Sequence, residues 1–177
     1  GFRQRAASAM LGRNATWGYS RLRLSYFHLT PGMIEGEGDH FGYTPVLPFQ
    51  QVRHYKVVSD NTFHAGSGNV KLLLGWQQNR RQEYEEEPDE PGLDFRLNTL
   101  NYDLRWQGTV DEDWKTAFGV AGMAQKSDNL GDEYLIPSYG LLDAGLFATA
   151  SKALGAWTLS GGVRADVRWL RSEALAG

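Results

Sequence analysis

Six charged residues fall on alternate positions of three segments: Asp103 and Arg105; Asp143; and Arg164, Asp166 and Arg168. Paired carboxylates can pass a proton to and from a substrate, which is the basis of general acid–base catalysis. Here they are interleaved with arginines, a pattern that suits a mixed-charge wall facing water. Charged rows of both signs across neighbouring strands also help to pin strand register. No Ser-His-Asp neighbourhood, P-loop or dinucleotide fingerprint accompanies them, so the chain is read as a non-enzyme.

Three further groups invite chemistry. Asn79-Arg80-Arg81 is followed by Glu83 and Tyr84. Arg81, Glu83 and Tyr84 at the mouth of a pore could hold an anionic chelate through bidentate bonds and stacking. The simpler reading is an ion pair that props the adjoining loop. The run Glu83–Asp94 is dense in carboxylates, which hard cations favour, but its spacing matches no EF-hand. His28, His40, His54 and His64 are scattered without the paired spacing of a metal or haem site. They are read as ordinary polar residues, and no cofactor or metal is expected.

Composition narrows the class. The chain has 177 residues, no cysteine and a net charge of −3, with no basic patch interleaved with aromatics that would suit nucleic acid. No apolar run is long enough for a membrane helix. Aromatics at 12% and 21 glycines fit a sheet protein with glycine turns.

The elements that must position the charged residues are strands. In Trp157–Trp169, Trp157, Leu159, Val163, Ala165, Val167 and Trp169 occupy one face, and Thr158, Ser160, Arg164, Asp166 and Arg168 the other. The two tryptophans are roughly 40 Å apart along a strand at about 3.3 Å per residue. Tilted by ~45°, that span becomes roughly 28 Å, close to the apolar band of an outer-membrane barrel. Arg21–Tyr26, Gln51–Phe63, Val70–Gln77, Thr99–Trp106, Lys115–Gln125 and Leu142–Ala150 alternate similarly, and Phe2–Ala9 adds a partial strand. On this parity His54, Lys56, Asp103, Arg105, Asp143, Arg81 and Glu83 face the wet side, and Trp76, Trp106, Trp157 and Trp169 the apolar side.

The expected connections alternate in length. Short links fall at Met10–Ala15, Gly66–Asn69, Gly108–Trp114 and Ala153–Ala156. Long ones fall at Pro31–Phe49, Glu85–Gly92 and Ser127–Ser138. The expectation is therefore an all-β, antiparallel, up-and-down sheet of about eight strands, with tight turns on one edge and long polar loops on the other.

Four segments taken in order carry a resemblance. They are Thr16–Gly36 (TWGYSRLRLSYFHLTPGMIEG), Leu74–Tyr84 (LGWQQNRRQEY), Ile136–Ala148 (IPSYGLLDAGLFA) and Trp157–Arg168. Together they resemble the barrel of TonB-dependent outer-membrane receptors, of the iron-complex type found in Bacteroidetes-like bacteria. The resemblance implies that residues 1–177 form one partial domain, an internal piece of a transmembrane β-barrel of about 22 strands. The plug domain and the other strands would lie outside it. It also implies energy-coupled import of a scarce chelate, most simply a ferric siderophore, across the outer membrane of a Gram-negative bacterium. The partners implied are outer-membrane lipid, the protein's own plug, the inner-membrane TonB complex and the iron chelate. Trp76, Trp106, Trp157 and Trp169 become a lipid girdle, with tight turns periplasmic and long loops outside. His54, Lys56, Asp103, Arg105, Asp143, Arg164, Asp166 and Arg168 become the lumen wall.

Two other architectures fit the same alternation. One is a complete eight-stranded barrel, either a small membrane anchor or a lipocalin-like carrier. The other is a soluble β-sandwich acting as an interaction module. Pairing between the first and last strands separates the closed barrel from the fragment.

Overall fold

The computed structural model describes residues 1–33, 47–111, 113–132 and 136–173. Among these are eight strands and no helix: β1 (Phe2–Ala15), β2 (Gly18–Pro31), β3 (Phe49–Ala65), β4 (Gly68–Tyr84), β5 (Leu93–Asp111), β6 (Trp114–Asn129), β7 (Tyr139–Leu154) and β8 (Trp157–Ser172). They form one antiparallel sheet in sequence order, so each strand pairs with its chain neighbours in up-and-down fashion. The all-β, up-and-down expectation of eight strands is met. The strands run from 14 to 19 residues, far beyond the five or six usual in soluble sheets.

The alternation of short and long connections holds, with β4 ending at Tyr84 and β5 starting at Leu93 on either side of the expected Glu85–Gly92 loop. At two short turns Gly66 (φ 58°) and Gly155 (φ 61°) take the left-handed conformation that costs other residues most. The strand ends differ from expectation. Met10–Ala15 is not a turn but the second half of β1, paired from Met10↔Arg23 to Ala15↔Gly18. Its alternation is lost because Gly12 and Asn14 fall on one face and Leu11 and Arg13 on the other, so neither face is uniformly apolar. Backbone pairing continues regardless. For the same reason β4 runs through Arg80–Tyr84, β5 runs on to Asp111 with an irregularity between Thr109 and Asp111, and β6 continues through Ser127–Asn129.

Register partners on adjacent antiparallel strands project from the same face. One row joins Leu24, Val57, Trp76, Leu100, Ala124, Leu142 and Trp169 across seven strands. The next row on the opposite face joins Ser25, Lys56, Gln77, Thr99 and Gln125. The sheet therefore has an apolar and a polar face. Nothing among the described residues covers the apolar one: Trp157 is 80% exposed and Val163 75%, and the only buried hydrophobics are Tyr84 and Leu93. A single sheet cannot hide such a face by itself. β1 and β8 do not pair with each other, as a closed eight-stranded barrel requires, and no second sheet is present among the described residues, as a sandwich requires.

Candidate functional site

Three ion pairs stand on the polar face of β5, β7 and β8. Arg105 donates from Nε and Nη2 to the two Asp103 oxygens, both at 2.9 Å. Arg168 on β8 reaches its register partner Asp143 on β7, Nε to Oδ1 at 2.6 Å and Nη2 to Oδ2 at 2.8 Å. Arg164 clasps Asp166 with Nε at 2.9 Å and Nη2 at 2.6 Å from Oδ1. The space for this last pair comes from Gly145 on β7, where a Cβ would collide with the Asp166 carboxylate and the Arg164 guanidinium. Asp103, Gly145 and Asp166 lie in one register row with Ala121. Each carboxylate thus has its oxygens occupied by a guanidinium, an arrangement that fixes geometry and leaves little room to accept a substrate proton. Further along this face lie His54 and Lys56, opposite Asn79 and Gln77. His54 Nε2 is buried with no partner among the described residues.

At the long-loop edge of the polar face, Arg81 is ion-paired to Glu83, whose Oε1 also accepts from Gln50 Nε2 at 2.9 Å. The third residue expected with them, Tyr84, is not there. It projects from the apolar face and stacks on Phe49, with ring centroids 4.6 Å apart and planes at 14°. Strand geometry explains the separation: β4 continues through Tyr84, so Glu83 and Tyr84 must point to opposite sides. Arg81 with Glu83 is a prop at the rim, and its guanidinium is half exposed.

The other candidates are not brought together. His54 and His64 lie on the polar face, His64 Nδ1 contacting Asn69 Oδ1 at 2.8 Å, and His28 lies on the apolar face. His40 falls outside the described residues. No cluster of three or more metal-ligating side chains occurs among the described residues. In the acidic loop, Glu85, Glu86, Glu87 and Glu90 line an open hollow of about 290 Å³ with Asp132.

The apolar face carries Trp76, Trp106, Trp157 and Trp169 as expected, and also Trp114, so every strand tryptophan projects from it. Towards the short turns, Trp106 stacks on Phe118 and Trp17 on Phe63, each pair with centroids 5.4 Å apart. Towards the long loops stand Tyr26 and Tyr55, 5.1 Å apart. Between these aromatic zones the side chains are chiefly Leu, Val and Ala.

A polar network beyond that upper zone was not expected from the sequence. Arg80 binds Asp94, Asp94 also accepts from Gln82, and Arg96 and Lys126 both bind Asp128. Carrying the parity of Trp76 four residues further would have placed Arg80 on the apolar face. Comparison of the chain with protein-family models and with curated proteins finds no match.

Proposed function

We propose that this chain is part of the wall of a TonB-dependent transporter in the outer membrane of a Gram-negative bacterium, importing a scarce chelate, a ferric siderophore above other ligands. The reading rests on the sequence resemblance and is supported by one structural observation. A single sheet of long strands has one aromatic-bordered apolar face and one ion-paired polar face. A lipid bilayer offers cover for an apolar face of this kind, and aromatic residues favour its two interfaces.

In that role the apolar face contacts lipid, with Trp76, Trp106, Trp157 and Trp169 in the girdles. Asp103, Arg105, Asp143, Arg164, Asp166 and Arg168 line the lumen against the plug. Arg81 and Glu83 stand at the outer rim, where a chelate carrying anionic oxygens could displace one partner of the pair. Tyr84 faces the other way and takes no part in the lumen.

The test uses the full-length gene in its host. Deletion should abolish growth on ferric siderophores as sole iron source, and the protein should fractionate with the outer membrane. Outer-membrane location with unchanged uptake of iron, cobalamin and sugars would refute the transport role and leave only a membrane wall. A protein found wholly in a soluble fraction would remove both.

A further inference from the structure

The apolar face has a feature that the transport reading does not use. On seven strands, a cation or histidine on that face lies just beyond the apolar stretch on the side of the long connections, while Arg13 and Lys152 stand on the same face near the short turns. Arg5 precedes Ala7 on β1 and pairs in register with His28. His28 follows Tyr26, Arg53 precedes Tyr55, Arg80 lies beyond Trp76, Arg96 beyond Leu100, Lys126 beyond Ala124 and Arg171 beyond Trp169. Arg53, Arg80 and Arg96 are consecutive register partners on β3, β4 and β5. Strands are about 4.8 Å apart, so three guanidinium groups share one row where like charges oppose one another.

The protein balances this row only in part. Asp94 takes Arg80, and Asp128 takes Arg96 and Lys126. Arg53 donates to the neutral Gln51 Oε1 at 2.8 Å, and no carboxylate pairs with it among the described residues. Lys126 and Arg96 remain 70% and 40% exposed at their side chains. The polar face near the same edge has Arg81, already paired with Glu83. At this edge, cations are thus gathered on the apolar face, and their charge is left incompletely matched among the described residues.

We propose that this row binds the phosphomonoester headgroup of an anionic membrane lipid whose acyl chains lie on the adjoining apolar surface. Guanidinium groups recognise phosphate through paired, charge-assisted hydrogen bonds, and adjacent arginines can share one phosphate. The choice of lipid over free anion follows from continuity. Guanidinium row, Tyr26–Tyr55 pair and aliphatic surface follow one another on a single face, and only an amphiphile satisfies all three. Aromatic side chains with one apolar and one polar end favour this boundary. The inference rests on the membrane reading above.

The experiment titrates the full-length, delipidated protein in detergent with micelles doped with phosphatidic acid or with phosphatidylcholine, and separately with inorganic phosphate. The expected preference for phosphatidic acid is about tenfold, the size of one charge-assisted hydrogen bond. Arg53→Gln combined with Lys126→Gln should reduce it to within about twofold if these cations carry the contact. Neither change strips Asp94 or Asp128 of its arginine. Arg23→Gln with Lys71→Gln, an equal charge change on the polar face, should leave the preference intact. Equal binding of both lipids, or a preference that survives the Arg53/Lys126 change, overturns the proposal. So does inorganic phosphate binding as tightly as the lipid, which would mark a free-anion site. Outer-membrane fractionation of the same protein separates these failures from failure of the membrane reading itself.

Discussion

Arg80 on β4 and Asp94 on β5 are joined by two parallel hydrogen bonds, Nε to Oδ1 at 2.9 Å and Nη2 to Oδ2 at 2.5 Å, although they are not register partners. Arg80 stands opposite Arg96, and Asp94 opposite Gln82, so the pair crosses the ladder on a diagonal. The diagonal relieves the two facing arginines. Asp94 is 4% exposed and also accepts from Gln82 Nε2 at 3.2 Å.

Asp94→Asn should therefore cost about 2 kcal/mol, between the values for exposed and fully buried pairs, since the Arg80 side chain is 35% exposed. The readout is the urea midpoint of the full-length protein in detergent. Adding Arg96→Gln, which by itself also breaks the Arg96–Asp128 pair, should cost less in the Asp94→Asn background than alone, because there it also removes the charge that opposes an unpaired Arg80. Full additivity of the two changes would show that the facing arginines do not interact.

A second chain of bonds ties β5, β6 and β7 on the polar face. Tyr139 Oη donates to Gln125 Oε1 at 2.8 Å, and Gln125 Nε2 donates to Thr99 Oγ1 at 3.0 Å. Thr99 is 2% exposed, so water cannot easily replace it. Thr99→Val keeps the shape but leaves the Gln125 amide without its acceptor, at a cost of about 1–2 kcal/mol. Thr99→Ser should lose much less. Equal midpoints for the two variants would mean that the hydroxyl is not needed.

Gly122 on β6 lies beneath a side chain that spans it. Tyr102 on β5 crosses β6 and donates its hydroxyl to the Asp143 carbonyl on β7 at 3.0 Å. A Cβ at Gly122 would collide with that carbonyl and with the tyrosine hydroxyl. Gly122→Ala should destabilise by about 1–3 kcal/mol through overpacking, and Tyr102→Phe by about 1 kcal/mol through the lost bond. Because both act at one place, the double variant should lose less than the two singles added. Strict additivity would place Tyr102 elsewhere.

The number, order and faces of the strands were legible from alternation, because where the strands carry apolar side chains one face is apolar and the other polar. Parity assigned Trp157 and Trp169 to one side and Arg164, Asp166 and Arg168 to the other, and register pairing agrees. Strand ends were not legible. Beyond the apolar stretch both faces are largely polar, so alternation does not reveal that β4 continues to Tyr84, and the sequence alone groups Tyr84 with Glu83 although the pleat separates them. The Arg80–Asp94 and Arg96–Asp128 links were invisible for a second reason: they join strands whose register the sequence does not state.

Loop sidedness gives a direct check of the proposed orientation. This chain contains no cysteine, so a single one reports cleanly within it. Glu87→Cys, in the long connection between β4 and β5, should react with a membrane-impermeant maleimide on intact cells. Ser67→Cys, in the short turn between β3 and β4, should react only after the outer membrane is opened. The reverse pattern would invert the barrel, and labelling of both on intact cells would deny that the sheet crosses the membrane.

Tryptophan supplies the last test, because all five strand tryptophans share the apolar face. A slip of one residue in register would move a strand's whole set to the other side, so their agreement is a property of the pairing and not of any one residue. In bilayers of acyl-brominated phosphatidylcholine, fluorescence from these residues should be strongly quenched and largely shielded from aqueous acrylamide. Trp169→Phe should remove part of the bromine-quenched signal, since Trp169 is 55% exposed on that face. A probe placed by Lys56→Trp, on the polar face, should respond in the opposite sense, to acrylamide and not to bromine. If acrylamide reaches Trp76 and Trp169 while brominated lipid does not, the apolar face is not in contact with lipid, and protein or water must cover it instead.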